Sequence, residues 1–287
     1  KVVPQADTGE TYTIAAVNEP LIERAAGTLR AKVETVISPL ITATISSVAV
    51  WAGDEVQPGE ELVRLDAREL KARVRSLLLH EDHDSAMARL ADYQPRQVVN
   101  PLISFFCSGD ALLRWRAISG MGEVVNTLAE TEMESARVIM RRLMWTLNDE
   151  SGGIGWGAPE AMGEITARHR GLADEFGCIL VSYIRPDCNF LEHPVLQRGV
   201  LWGVGRLAYA RPQMVADAAP FIIPFLESKD AYHRGYAVWL LRALAERHPQ
   251  EACQALAGDQ GRFQFYFDGQ FSEVTVADAV RGQLLPN

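Results

Sequence analysis

The sequence predicts a mostly α-helical protein: an α-α superhelix of stacked helix pairs with a small N-terminal β segment and a C-terminal β-hairpin cap. The main observation is a motif at residues 114–123 that recurs in degenerate form from residues 155, 197 and 233. A helical motif that returns after roughly 40 residues is typical of stacked helix pairs. The other two observations are a β-type composition up to about residue 74 and an Asp-Gly turn near the C-terminus.

The N-terminal segment is typical of β-structure. Its runs at 11–17, 28–38 and 40–51 are rich in Val, Ile and Thr, and Gly and Pro separate them. Such runs with turn residues between them favour short strands. A turn-rich loop at 52–60 follows, and Asp66 is a suitable N-cap for a helix.

Within this segment, one string of residues is similar to a known domain. The string carries Gly53-Asp54, Val56, Gly59, Leu62 and Leu65-Asp66. On these residues, segment 28–70 resembles the first half of the lipoyl-like domain of efflux periplasmic adaptor (membrane-fusion) proteins. The resemblance implies half of a small β-sandwich and association with a membrane complex. The second half of the motif does not return later, and no lysine has the setting of a biotin or lipoyl carrier.

Helical periodicity begins at about Leu77 and continues in pairs. The predicted pairs are 97–107 with 110–129, 132–147 with 157–171, 172–185 with 195–210, and 213–227 with 230–247. Small residues such as Gly120 and Gly163 lie at the centres of the second helices and permit close helix packing. We therefore predict a β-rich segment at residues 1–76 and a repeat domain at residues 77–287.

The C-terminal region departs from the helical pattern. Residues 263–276 alternate apolar and polar side chains around Asp268-Gly269, a strong signal for a hairpin with a type I′ turn. A short helix at 276–285 follows. We expect the hairpin and this helix to cap the last repeat.

Composition excludes several classes of function. The chain has 287 residues and a formal net charge of −9, so we predict no nucleic-acid partner, because such binding depends on clustered Lys and Arg. No apolar run reaches the roughly 20 residues that cross a bilayer, so no membrane span is predicted. The four cysteines lack CxxC spacing, which leaves either unpaired thiols or a Cys178–Cys188 disulfide. Any targeting signal would lie upstream of Lys1.

A glycine-rich acidic segment at residues 148–160 is the strongest candidate for function. Its four glycines within six residues allow the backbone to approach another group closely. We predict a partner- or ligand-binding site formed by Asp149, Glu150, Trp156, Glu160, Arg114, Arg116, Glu192, Arg198 and Arg206. The alternative is structural: the glycines shape a turn, Trp156 packs on a neighbouring helix and Glu160 stabilises the helix start.

The same segment also carries a resemblance. The strings at 149–160, 189–192 and 199–206 are similar to those of a small group of bacterial HEAT-repeat proteins, of the bilin-lyase-like kind and of uncharacterised function. The resemblance covers residues 77–287. It implies a scaffold or binding role and transfers no catalytic residue.

We therefore predict a non-enzymatic HEAT-repeat scaffold that binds a protein or peptide partner on its concave face near residues 148–160. No catalytic residue, metal site or cofactor is predicted, because no spacing enforces a catalytic group of side chains. Two alternatives remain: a periplasmic adaptor-like component of an efflux or export system, and a HEAT-like enzyme such as a bilin lyase. The repeat domain alone suggests a cytoplasmic protein, whereas a genuine adaptor-like segment would indicate the periplasm.

Overall fold

The computed structural model describes residues 44–51, 53–148, 154–244 and 251–284. Its helices in these ranges are α1 (Ala67–Leu78), α2 (His83–Leu90), α3 (Pro95–Phe105), α4 (Ala111–Thr131), α5 (Met133–Thr146), α6 (Ala158–Arg168), α7 (Arg170–Ser182), α8 (Pro194–Ala210), α9 (Ala219–Ile222), α10 (Ala231–Ala243), α11 (Glu251–Gln254) and α12 (Val276–Arg281). The strands are β1 (Thr44–Val48), β2 (Val63–Asp66), β3 (Arg262–Phe267) and β4 (Gln270–Thr275). None of the described helices has the length and apolar character of a membrane span.

The described part of the N-terminal β segment is an antiparallel hairpin. Strand β1 pairs with β2, and the loop between them contains Gly53 and Gly59 at φ angles of 103° and 91°. Side chains other than hydrogen rarely adopt this backbone conformation, so glycine fits both turns. Residues 1–43 lie outside the described residues, and with them most of the predicted strands. The adaptor-like interpretation of residues 28–70 therefore stays a prediction.

Helix α1 crosses the boundary predicted between residues 76 and 77. Its Val74 and Leu78 are fully buried, and the helix packs against α2, α3 and α4. The described residues belong to one compact unit. The division into residues 1–76 and 77–287 stays a prediction, and the helix that spans it is continuous.

Four helices, here called the central helices, form a layer in the order α4, α6, α8 and α10. Glycines permit their close packing. A Cβ atom at Gly163 of α6 would lie 2.6 Å from the carbonyl oxygen of Gly203 in α8, and one at Gly205 would lie 2.6 Å from Cε3 of Trp239 in α10 and closer still to the neighbouring ring atom. Any larger side chain would force the helices apart. The small residues noted in the repeat motif are therefore packing positions.

The remaining helices pair with the central ones. Helix α3 packs on α4, α5 on α4 and α6, and α7 on α6 and α8. The predicted helix 213–227 was wrong in detail, because three short 3-10 helices and α9 occupy this stretch. Pro212, Pro220 and Pro224 lack the backbone N–H that a continuous helix needs. The predicted fold class is otherwise confirmed: stacked helix pairs and a two-stranded C-terminal sheet.

The C-terminal hairpin forms as predicted. Strands β3 and β4 pair antiparallel, and Asp268 and Gly269 both have positive φ angles, 42° and 82°. This geometry is that of a type I′ turn. The Thr275 and Asp278 side chains then form a capping box at the start of α12, which packs on α10.

The hairpin reaches much farther than the last repeat. Its Tyr266 ring stacks on Trp115 of α4 at 4.9 Å, and the Trp202 indole of α8 donates a hydrogen bond of 3.0 Å to the Tyr266 carbonyl. Phe265 packs edge-on against Trp239 of α10 at 5.0 Å. The aromatic face of the central helices, defined by Trp115, Trp202 and Trp239, is thus covered by the chain's own hairpin.

Candidate functional site

A cavity of about 430 Å³ lies beside the hairpin, where the N-terminal ends of the central helices meet. Each central helix contributes a side chain close to its start. The contributing side chains are Arg114 of α4, Glu160 of α6, Arg198 of α8 and Tyr232 of α10. Trp156 and Phe271 of β4 also line the cavity. Concave sites of a few hundred Å³ are typical of small-ligand binding.

Glu160 carries the unusual chemistry of this cavity. Its Oε2 atom is inaccessible to solvent and has no hydrogen-bond partner among the described residues, although the residue as a whole keeps some exposure. Burial raises the pKa of the carboxyl from its ordinary 4.5 to about 7, against the lowering effects of its own backbone N–H and of the Arg114 charge. A buried acceptor without a donor typically costs about 1–3 kcal/mol. A ligand that donates a hydrogen bond there would remove this cost.

The space around the Glu160 carboxyl depends on a glycine in the next repeat. A Cβ atom at Gly199 would lie 2.6 Å from the carboxyl group. Gly157 and Gly235 occupy the equivalent place in two other copies of the motif. A Cβ at Gly157 would lie 2.9 Å from Phe106, and one at Gly235 would lie closer still to the Phe263 ring. The repeat motif therefore keeps this position free of side chains where other groups approach.

The two arginines of the cavity differ in their partners. Arg198 donates to Asp230 at 2.6 Å, and its guanidinium lies 4.4 Å from the Tyr232 ring centre. Asp230 also caps α10 by accepting from the Tyr232 backbone N–H. Arg114 is half-buried, and its guanidinium forms no hydrogen bond or ion pair with any residue of the described ranges, although its charge acts on the Glu160 carboxyl. Among the described residues, the Arg114 guanidinium thus has no partner, whereas Arg198 is held by Asp230 through its Nε.

The glycine-rich segment is described only from Ile154 onwards. Gly155 and Gly157 have φ angles of 68° and 73°, and Gly157 is the residue that precedes α6. Trp156 packs edge-on against His193 at 5.3 Å. These glycines therefore serve the turn, as the structural alternative predicts, while Trp156 also lines the cavity. Asp149 and Glu150 lie outside the described residues, and their role stays a prediction.

Three predicted site residues lie away from the cavity. Arg116 is buried and donates to the carbonyl oxygens of Leu78, His80 and Glu81, where α1 ends. Arg206 pairs with the buried Glu164 at 2.9 Å. These two arginines have structural partners. Glu192 lines a second cavity of about 1070 Å³.

Sequence reasoning missed several residues of the cavity. Gly199 was detectable, because the repeat alignment places it with Gly157. Tyr236, whose hydroxyl donates to the Gln264 carbonyl at 3.2 Å, and Phe271 reach the cavity only through the packing of the hairpin. No local signal announces such a contact. The sequence also gave no sign that Asp230 would hold Arg198.

The sequence predicts no metal site and leaves a Cys178–Cys188 disulfide as one alternative. Within the described ranges, no three His, Cys, Asp or Glu side chains gather as a metal site. All four cysteines are free thiols, so the Cys178–Cys188 disulfide is not formed.

The fold and the cavity define a helical-repeat protein whose chain closes over its own central layer. No family model matches the sequence. The chain is 31% identical over 150 residues to an uncharacterised protein of Archaeoglobus fulgidus, a match that covers 50% of this chain and 73% of that protein. The chain therefore belongs to the same family as that protein.

Two solved structures are also similar. An engineered protein has a TM-score of 0.40 and 14% identity, covering 76% of this chain and 95% of its own. A designed armadillo repeat protein in complex with the peptide (KR)4 has a TM-score of 0.40 and 14% identity, covering 74% of this chain and 98% of its own.

Proposed function

We propose that this protein is a non-enzymatic helical-repeat scaffold that binds a protein or peptide partner at the cavity beside the 148–160 segment. The observation that carries the proposal is that one cavity holds two groups without a partner among the described residues: the buried Oε2 atom of Glu160 and the guanidinium of Arg114. Unsatisfied buried polar groups are uncommon in folded proteins, and a ligand that donates a hydrogen bond would satisfy this one.

The surroundings of the cavity favour a peptide ligand over a small molecule. Leu196 lines both this cavity and the second one, so the two adjoin. The second cavity displays Trp145, 54% exposed, and Ile154, 49% exposed, and it includes the predicted residue Glu192. Exposed apolar groups with a polar rim are typical of interaction surfaces. A peptide with one residue in the first cavity could extend across the second.

Catalysis and the adaptor role remain alternatives without this support. A HEAT-like enzyme such as a bilin lyase, or a HEAT-repeat subgroup as such, rests on the sequence resemblance alone. The adaptor-like component rests on residues 28–70, of which 28–43 lie outside the described residues. No observation in the described ranges favours either over the scaffold.

A peptide selection tests the proposal. Random dodecapeptides are displayed at the carboxyl terminus of a carrier protein and selected on the full chain, and selected peptides are measured by fluorescence anisotropy. We expect Trp156→Ala to weaken their binding at least tenfold, because Trp156 forms part of the cavity wall. Trp51→Ala is the matched control, since Trp51 is 84% exposed and lies outside both cavities. The proposal fails if no peptide is enriched, or if Trp156→Ala binds the selected peptides as tightly as the wild type.

A further inference from the structure

We propose that the cavity recognises the carboxyl-terminal residue of a peptide. Arg114 binds the terminal carboxylate, the backbone N–H of the last residue donates to Oε2 of Glu160, and the last side chain lies among the aromatic rings. This inference rests on the proposed function and specifies which part of the partner enters the cavity.

The Arg114 guanidinium fits a carboxylate. A guanidinium presents parallel N–H donors that match the two oxygens of a carboxylate. Arg198 cannot serve equally, because its Nε already donates to Asp230 and its guanidinium lies over the Tyr232 ring. The Arg114 guanidinium, without a partner among the described residues, is therefore available to an anionic ligand.

The Oε2 atom of Glu160 needs a hydrogen-bond donor. Oε2 is a buried acceptor that has no hydrogen-bond partner among the described residues. In a peptide the last residue carries its amide N–H on the same Cα atom as its terminal carboxylate. An acceptor beside a cation therefore matches a carboxyl terminus at two adjacent points, and an isolated inorganic anion matches only one.

The charges around the cavity favour an anionic ligand over a cationic one. The N-terminal ends of four helices carry partial positive charge towards the cavity, and Asp230 neutralises Arg198. Burial raises the pKa of Glu160 to about 7, so at neutral pH this carboxyl is ionised in only part of the molecules and opposes an incoming carboxylate less than a full charge would. An ammonium group would instead face Arg114 and the helix ends.

The aromatic lining of the cavity provides space for the last side chain of the peptide. Trp115, Trp156 and Phe271 supply apolar ring surface to the cavity. Apolar walls with a few placed polar groups fix the orientation of a ligand and select its shape. We expect the preferred last residue to be aliphatic or aromatic.

The test compares two chemical forms of the same peptides. N-acetylated hexapeptides with randomised last three residues are made as free acids and as carboxamides, and their dissociation constants for the full chain are measured by anisotropy at pH 7. We expect the best free acids to bind at least tenfold more tightly than their carboxamides. Arg114→Gln should remove this difference, whereas Arg75→Gln, an exposed arginine of α1, should preserve it.

A second variant guards against a misfolded Arg114 variant. Gly199→Ala places a methyl group against the Glu160 carboxyl and should weaken free-acid binding at least tenfold, with the unfolding midpoint recorded for each variant. Equal binding of carboxamides and free acids, still lost in Gly199→Ala, would refute carboxyl-end recognition and leave the scaffold proposal standing. Binding that follows an internal lysine would assign the cavity to a cation instead. Free amino acids that bind as tightly as peptides would make it a small-molecule site, and no binding by any form would overturn both proposals.

Discussion

At the residue scale, Glu160 shows how a neighbouring repeat changes the chemistry of a side chain. Its place, the third residue of α6, is one where a carboxylate normally gains from the helix dipole and the free N–H groups. The close approach of α8 at Gly199 instead buries the carboxyl, and desolvation outweighs the helix effect. The group is therefore costly to ionise in the folded state.

This cost predicts a pH dependence of stability. The folded pKa of Glu160 is about 7 and the ordinary value 4.5, so the folded state binds the proton more tightly and the unfolding free energy falls as pH rises from about 4.5 through 7. Glu160→Gln should remove this fall and be more stable than the wild type at pH 8 by about 1–2 kcal/mol, a value reduced for the partial exposure of the side chain. Urea unfolding at pH 5 and pH 8 measures the difference. Exposed Glu227→Gln is the control, and equal pH profiles for wild type and Glu160→Gln would contradict the prediction.

The arginines show what a sequence can settle at this scale. Arg114 and Arg116 were predicted to belong to the same site. Residues two positions apart on an α-helix, however, point in directions that differ by about 200°. Arg114 therefore lines the cavity while Arg116 holds the end of α1. A sequence gives this angle but not which of the two directions faces the cavity. That choice depends on the packing of α1, whose relation to α4 is not local.

At the element scale, local signals predicted most of the fold. The central helices follow from the repeat motif and its breakers, and the hairpin follows from Asp268-Gly269, because each signal acts within a few residues. The stretch 213–227 was wrongly predicted as one helix, because Pro220 and Pro224 interrupt its apolar pattern. The course of the hairpin across α4 and α8 could not be predicted, since no local residue encodes it.

The hairpin turn can be tested with a pair of glycines. Gly269 has a φ angle of 82°, and a Cβ there would lie 2.6 Å from the Cβ of His83 in α2. Gly269→Ala should therefore lower the unfolding free energy by about 2 kcal/mol, from backbone strain and the clash together. Gly258→Ala is the matched control, because nothing lies within 4 Å of its Cβ position. Chemical denaturation measures both variants, and a similar small effect in the two would contradict this account of the turn.

At the scale of the whole molecule, the hairpin changes how the repeats depend on one another. In an open repeat array each unit contacts only its neighbours, and the stability is close to a sum of local terms. Here the Tyr266 hydroxyl hydrogen-bonds Ser119 at 3.0 Å, across 147 residues of sequence, and its carbonyl accepts from Trp202. One strand therefore joins the first and later central helices. The same closure forms one wall of the cavity, so partner binding and cooperativity share a structural origin.

This closure predicts that the ends of the array unfold together. Hydrogen exchange followed at increasing urea should show α4 and α10 losing protection at the same denaturant concentration in the wild type. Tyr266→Ala removes the stacking on Trp115 and the hydrogen bond to Ser119, so α10 should then open at lower urea than α4. Phe225→Ala is the control, since Phe225 packs on His233 at the same end of the array and should lower stability without separating the two transitions. Transitions that coincide in Tyr266→Ala would show that the helices of the central layer couple without the hairpin, and the layer would then be cooperative through its glycine-mediated contacts alone.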